Sequence, residues 1–173
     1  MTTPVAQASA VLVAAGGGLM LVAGWRKLTS RAVTSKAFRL ARAGSVTLGS
    51  SEIILAIVIL GVGGRVSAAI IFAAYGGFTC VTVWRLVWPG ASRSCACFGA
   101  ESAQVTWLHA LVDALFGTAG AVGYYAAAPS LLRLVAHGWM TGLDLCVAVA
   151  ASVVGLYALL TASPGANSEL AIH

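Results

Sequence analysis

The chain predicts an all-α fold, a polytopic membrane helix bundle, and three observations carry that expectation. Of its 173 residues, 60% are hydrophobic and 9% are charged, against about 25% charged in an ordinary soluble domain. The apolar residues fall into long runs separated by short polar or Gly/Pro-rich breaks. Several runs approach or exceed the roughly 20 residues that a helix needs to cross a hydrocarbon core of about 30 Å. Such a composition cannot cover a water-facing surface, so a bilayer is the expected solvent.

Five transmembrane helices follow in order. Val5–Trp25 is an uncharged run. It lacks the basic leader and small-residue cleavage site of a removable signal, and is expected to stay as a span. Its Gly16-Gly17-Gly18 would weaken a soluble helix but lets membrane helices approach closely. The second span runs from about Ser45 to Gly61 with Glu52 as its only charge, and Gly61 to Arg65 reads as a tight turn. The third, Val66–Trp88, ends in Trp84, Arg85 and Trp88, an aromatic and cationic anchor at headgroup level, and Pro89-Gly90 stops it. Val105–Ala128 is the fourth and Trp139–Ala162 the fifth, with Pro129 and Arg133 between them. Residues 1–128 thus make a four-helix core, and 129–173 add one helix to the same bundle and a short tail expected to be mobile.

The net charge of +5 does not point to nucleic acid. Arg26, Lys27, Arg31, Lys36, Arg39 and Arg42 all fall in the single connection 26–43, which reads as a topology and lipid-headgroup signal. That connection suits either a short amphipathic helix at the interface or a solvated loop. Five spans put it on one side with the 89–104 loop and the C-terminal tail. Arg65, Arg133 and His137 lie on the other side. An excess of Lys and Arg marks cytoplasmic loops, so the charge count alone places the 89–104 loop in the cytoplasm.

That loop holds the reactive groups. Ser92–Gly99 reads Ser-Arg-Ser-Cys-Ala-Cys-Phe-Gly, a polar interruption with Cys95 and Cys97 one residue apart. Two thiols at that spacing can close a small disulfide ring or clamp a soft metal. Thiolates are favoured near cations and helix N-termini, and this pair lies beside Arg93 and just before the fourth span. A disulfide across one intervening residue is tight, and strained, exposed bridges are the exchangeable ones. Phe98 adds an apolar contact and Gly99 a flexible joint. The plainer alternative is a pair of incidental juxtamembrane cysteines, open to acylation. Cys80 and Cys146 sit in apolar runs and are expected to be buried as small hydrophobes.

Beneath this loop the sequence places ionisable groups. Glu52, seven residues after Ser45, lies about 10 Å below the loop face. His109 and Asp113, four residues apart, share one face of the fourth helix, and Arg85 approaches the same side at the end of the third. Charged groups within a bilayer are costly and mark function by default. The structural alternative lets Glu52 snorkel or pair with Arg85, and leaves His109 and Asp113 as helix staples. Asp144, in the first turns of its helix, suits the helix dipole and carries no chemistry.

Trp25-Arg26-Lys27-Leu28, Glu52, Cys95-Ala96-Cys97-Phe98-Gly99 and Val105-Thr106-Trp107 resemble the MauE family, methylamine-utilisation membrane proteins of the broader DoxX-like group, over about residues 5–128. The family usually has Gly between the two cysteines, where this chain has Ala96, which restricts the backbone more. The resemblance implies a redox-associated protein that assists disulfide formation or maturation of an exported dehydrogenase subunit alongside a thioredoxin-like partner. It implies Cys95 and Cys97 as the redox pair, Glu52 as the intramembrane acid, and a plasma-membrane location with the thiols outside the cytoplasm, opposite to the charge count. The helix order is also similar to vitamin K epoxide reductase, an analogy of fold alone.

The leading expectation is therefore a membrane thiol–disulfide oxidoreductase or redox relay. Cys97 is its nucleophile, Cys95 the resolving thiol, and Glu52, His109 and Asp113 are proton-handling groups, with Arg85, Arg93 and Phe98 as binding residues. One alternative is a soft-metal protein for Cu(I), Hg(II) or Zn(II), though with only three Met and no His-rich relay. Another is a non-catalytic subunit of a larger membrane complex, which twenty Gly would suit. No metal site and no cofactor is evident in the sequence, and a quinone follows only by analogy. The expected partners are the lipid bilayer and a thioredoxin-like or other thiol protein, or that larger complex.

Overall fold

The computed structural model describes residues 4–29, 36–88, 105–127, 129–130, 136, 147 and 149–158, with the backbone alone for 36–43. These form helices α1 (Pro4–Thr29), α2 (Lys36–Val62), α3 (Gly64–Val87) and α4 (Trp107–Ala126), and a shorter apolar helix, α5 (Val149–Ala158). The protein is an all-α membrane helix bundle. Among the described residues, three stretches are long and apolar enough to cross a membrane: Pro4–Thr29, Gly44–Val62 and Gly64–Val87. Helix α4, with 20 residues, has the length to cross but carries His109 and Asp113 in its first two turns.

Helices α1 to α4 each carry an inward stripe at spacings built from three and four residues, the pattern of helices packed nearly parallel, and α1 is buried on further faces too, with Ala14, Ala15, Leu19 and Ala23. On α1 the stripe is Ala6, Ala10, Val13, Gly17, Met20, Gly24 and Lys27; on α2 it is Gly49, Glu52, Ala56 and Ile59. On α3 it is Ala68, Ile71, Tyr75 and Thr82, and on α4 His109, Asp113, Phe116, Gly120 and Gly123. The remaining faces, with Ile54, Ile57, Phe72, Leu111 and Leu115 outward, suit lipid. Lipid tails are as apolar as these side chains, so close van der Waals packing rather than water exclusion joins the helices. Phe116, Leu19 and Ile71 are the largest fully buried apolar side chains. Tyr75 packs beside Phe116 with centroids 5.0 Å apart and donates its hydroxyl to the Gly16 carbonyl at 2.8 Å.

Consecutive helices run up and down. Gly24 lies against Gly49 and Gly17 against Ile59, so α1 and α2 are antiparallel. Gly18 meets Val153 and Arg26 lies over the Tyr157 ring, so α5 runs parallel to α1. The expected Gly turn joins α2 to α3 through Gly63 alone. Gly63 and Gly64 both have positive φ, 67° and 68°. A Cβ on Gly63 would come within 2.2 Å of Ser130, so conformation and space both exclude a side chain there.

Three expectations are corrected. The first helix does not end at Trp25 but continues to Thr29, and the second begins at Lys36 rather than Ser45. Most of the supposed connection is therefore continuous with α1 and α2, and the described part contains neither a separate interfacial helix nor a long loop. Its Arg, Lys, Leu and Ala are good helix formers with no Pro to stop them. Cys80 is exposed, not buried, because position 80 lies off the buried stripe of α3. Arg93, Cys95, Cys97, Phe98, Asp144 and Cys146 lie outside the described residues.

Candidate functional site

At one end of the bundle, the four inward stripes finish in polar residues: Lys27 on α1, Glu52 on α2, Thr82 on α3, and His109 with Asp113 on α4. They line a partly enclosed cavity together with Leu19, Met20, Ala23, Leu48, Tyr75, Phe78 and Val105. It offers about 50 Å³ to water-sized molecules. One water needs roughly 10–15 Å³ of such space, so the volume suits a small water cluster. Val105 leads into α4, eight residues after Cys97. The first described residue after the cysteine pair is thus part of the cavity wall.

The Lys27 ammonium donates to both Glu52 carboxylate oxygens, at 2.5 and 2.6 Å. Both side chains are almost wholly buried. An ion pair taken out of solvent holds only with such geometry, and the helix crossing provides it. A Cβ on Gly24 would come within 2.6 Å of the Gly49 carbonyl oxygen, and one on Gly49 within 2.9 Å of the Gly24 oxygen. Only two glycines allow the backbones that close. Because the helices are antiparallel, Lys27 lies against Gly49 and Glu52 against Gly24, and their side chains reach each other across this close crossing.

Across the cavity, the Thr82 hydroxyl donates to Asp113 Oδ2 at 3.3 Å, tying α3 to α4. His109 stands at the third position of α4, where Glu or Gln of a capping box reaches back to the residue before the helix. Its ring does the same: the Thr106 backbone N–H donates to Nδ1 at 3.3 Å, and the Thr106 hydroxyl lies 2.8 Å from that atom.

Of the sequence candidates, Glu52, His109 and Asp113 are brought together and are buried. Arg85 is half-buried one turn beyond Thr82 and is not among the residues lining this cavity. It is not the partner of Glu52, since Lys27 holds both carboxylate oxygens. Lys27, Tyr75, Thr82 and Thr106 were not foreseen. The signal for Lys27 was present, because it continues the α1 stripe of Met20 and Gly24 in register and so points inward, away from the headgroups. The arrangement can shelter a carboxylate, an imidazole and a compensated charge pair from lipid, within reach of a few waters.

No curated protein and no solved structure matches the chain. A family model described as methylamine utilisation protein MauE matches residues 5–127, which takes in α1 to α4 and every residue lining the cavity. Since that match spans well over half of the sequence and contains the whole polar site, the chain belongs to the MauE family of membrane proteins.

Proposed function

We propose that this chain is a plasma-membrane thiol–disulfide relay working through Cys95 and Cys97, with a thioredoxin-like or other thiol protein as its partner. In the exchange, a partner thiolate attacks Cys97 of the oxidised pair and displaces the Cys95 thiolate, forming a mixed disulfide. The partner's second thiolate then releases Cys97. One disulfide is made and one reduced, and the two thiol protons pass from partner to pair. The observation that carries this reading is the buried polar cavity ending at Val105, eight residues from Cys97. A pair that changes protonation as it cycles benefits from the Asp113 and His109 of that cavity as proton-handling groups, and membership of the MauE family agrees.

The soft-metal reading is weakened by Lys27. Its ammonium occupies both Glu52 oxygens, so a cation entering the cavity meets a positive charge where it needs a ligand. An accessory role draws less support from the glycines than their number suggests, since Gly16, Gly17, Gly24, Gly49 and Gly120 all make contacts inside the bundle.

Disulfide trapping with a thioredoxin-like protein tests the relay. Cys95→Ser should accumulate a mixed disulfide through Cys97 that reductant releases, and Cys97→Ser should not. The opposite pattern reverses the order of the pair, and no adduct with either variant removes the relay.

A further inference from the structure

The contact between His109 and Thr106 settles where the imidazole carries its proton. A backbone N–H can only donate, so Nδ1, facing that of Thr106 at 3.3 Å, must present a lone pair. The Thr106 hydroxyl, 2.8 Å away, donates to the same atom. A neutral imidazole with a bare Nδ1 holds its hydrogen on Nε2, and Nε2 is the buried edge of the ring. The same side chain thus caps α4 through Nδ1 and is one of the residues that line the cavity.

We propose that His109 is a positioning residue that makes the N-cap of α4 depend on the protonation state of the cavity. In the neutral form it holds the Thr106 amide. A proton taken up on Nδ1 sets one N–H against another and releases the cap. The groups facing it decide when this happens: Lys27 from α1 opposes an imidazolium, while Glu52 from α2 and Asp113 from α4 favour it. Thr82 and Tyr75 from α3 add neutral hydroxyls to the same cavity, and Arg85 ends α3 one turn beyond Thr82. Glu52 is already matched by Lys27, so Asp113, one turn deeper on the same face, is the carboxylate that tips the balance. The bearing of this latch on thiol chemistry rests on the relay proposed above; the latch itself does not.

The test uses the full chain in lipid nanodiscs, labelled with ¹⁵N-histidine. Ring-nitrogen spectra, with the His109 signals identified by their loss in His109→Gln, should show a bare Nδ1 and a protonated Nε2 at neutral pH. As pH falls, the protection of the Thr106 amide, corrected for intrinsic exchange, should drop about fivefold, the equivalent of a typical N-cap. It should do so with the midpoint at which Nδ1 gains its proton. His109→Gln keeps a reach-back acceptor that does not titrate, so its Thr106 amide should stay protected at every pH. A hydrogen on Nδ1 at neutral pH, an amide that ignores the imidazole titration, or the same pH step in His109→Gln overturns the latch. If the amide follows His109 while Cys95 and Cys97 fail to exchange, the latch stands and the relay falls. The converse result removes the latch and leaves the relay.

Discussion

Lys27 and Glu52 form a buried ion pair across the point where Gly24 and Gly49 bring the antiparallel α1 and α2 into backbone contact, with Lys27 lying against Gly49 and Glu52 against Gly24. Each helix contributes a glycine and, three residues later, a charge. The glycines set the separation and the charges fill it. Charge compensation and helix packing are therefore one structural feature.

Removing one member of the pair leaves the other buried and uncompensated. Lys27→Met and Glu52→Gln are each expected to destabilise the bundle, with the loss reaching about 3–5 kcal/mol where a full charge is left unmatched. The double variant should recover most of that. Thermal unfolding of the four proteins in detergent micelles, treated as a double-mutant cycle, measures the coupling. Independent, additive losses would show that the two charges do not depend on each other.

Gly24→Ala puts a methyl against the Gly49 carbonyl oxygen and the Ile53 side chain. Forced apart, α1 and α2 should lose about 1–3 kcal/mol, the usual range for overpacking. Gly76→Ala is the control, since a Cβ there meets nothing within 4 Å and α3 gains a better helix former. The same melting experiment should show a lowered midpoint for the first and an unchanged or raised one for the second.

The fold was legible where the physics is coarse. Runs long enough to span a bilayer located the helices, and Gly63-Gly64 marked the tight turn. The limits of α1 and α2 were less visible, because Arg26 to Thr29 and Lys36 to Arg42 are rich in cations yet form helix readily. In the site, Glu52, His109 and Asp113 stood out because an ionisable group in an apolar run is costly. Lys27 was hidden by its neighbour Arg26. A cation at a helix end reads as a headgroup anchor, and only the phase of the α1 stripe turns it inward. Thr82, being uncharged, gave no signal. Arg85 was grouped with the cavity on depth alone, which fixes height in the membrane but not which residues line a site.

Inward and outward faces should respond differently to truncation. Phe116 is 1% exposed and Leu111 68% exposed, both on α4. Phe116→Ala should destabilise by about 3–5 kcal/mol. Leu111→Ala, losing contacts only with lipid, should stay within about 0.5 kcal/mol. Unfolding in the same micelles compares them, and equal losses would contradict the assigned lipid face.

The central claim, that Cys95 and Cys97 exchange electrons as a pair, is tested most directly by a redox titration. The protein, with Cys80 and Cys146 replaced by Ser, is equilibrated in lipid nanodiscs with dithiol buffers of graded potential and then labelled with a maleimide. The relay predicts a change from no labels to two in a single two-electron step, a tenfold change in ratio per roughly 30 mV, abolished by either Cys95→Ser or Cys97→Ser. Two labels at every potential, or none at any, would contradict it.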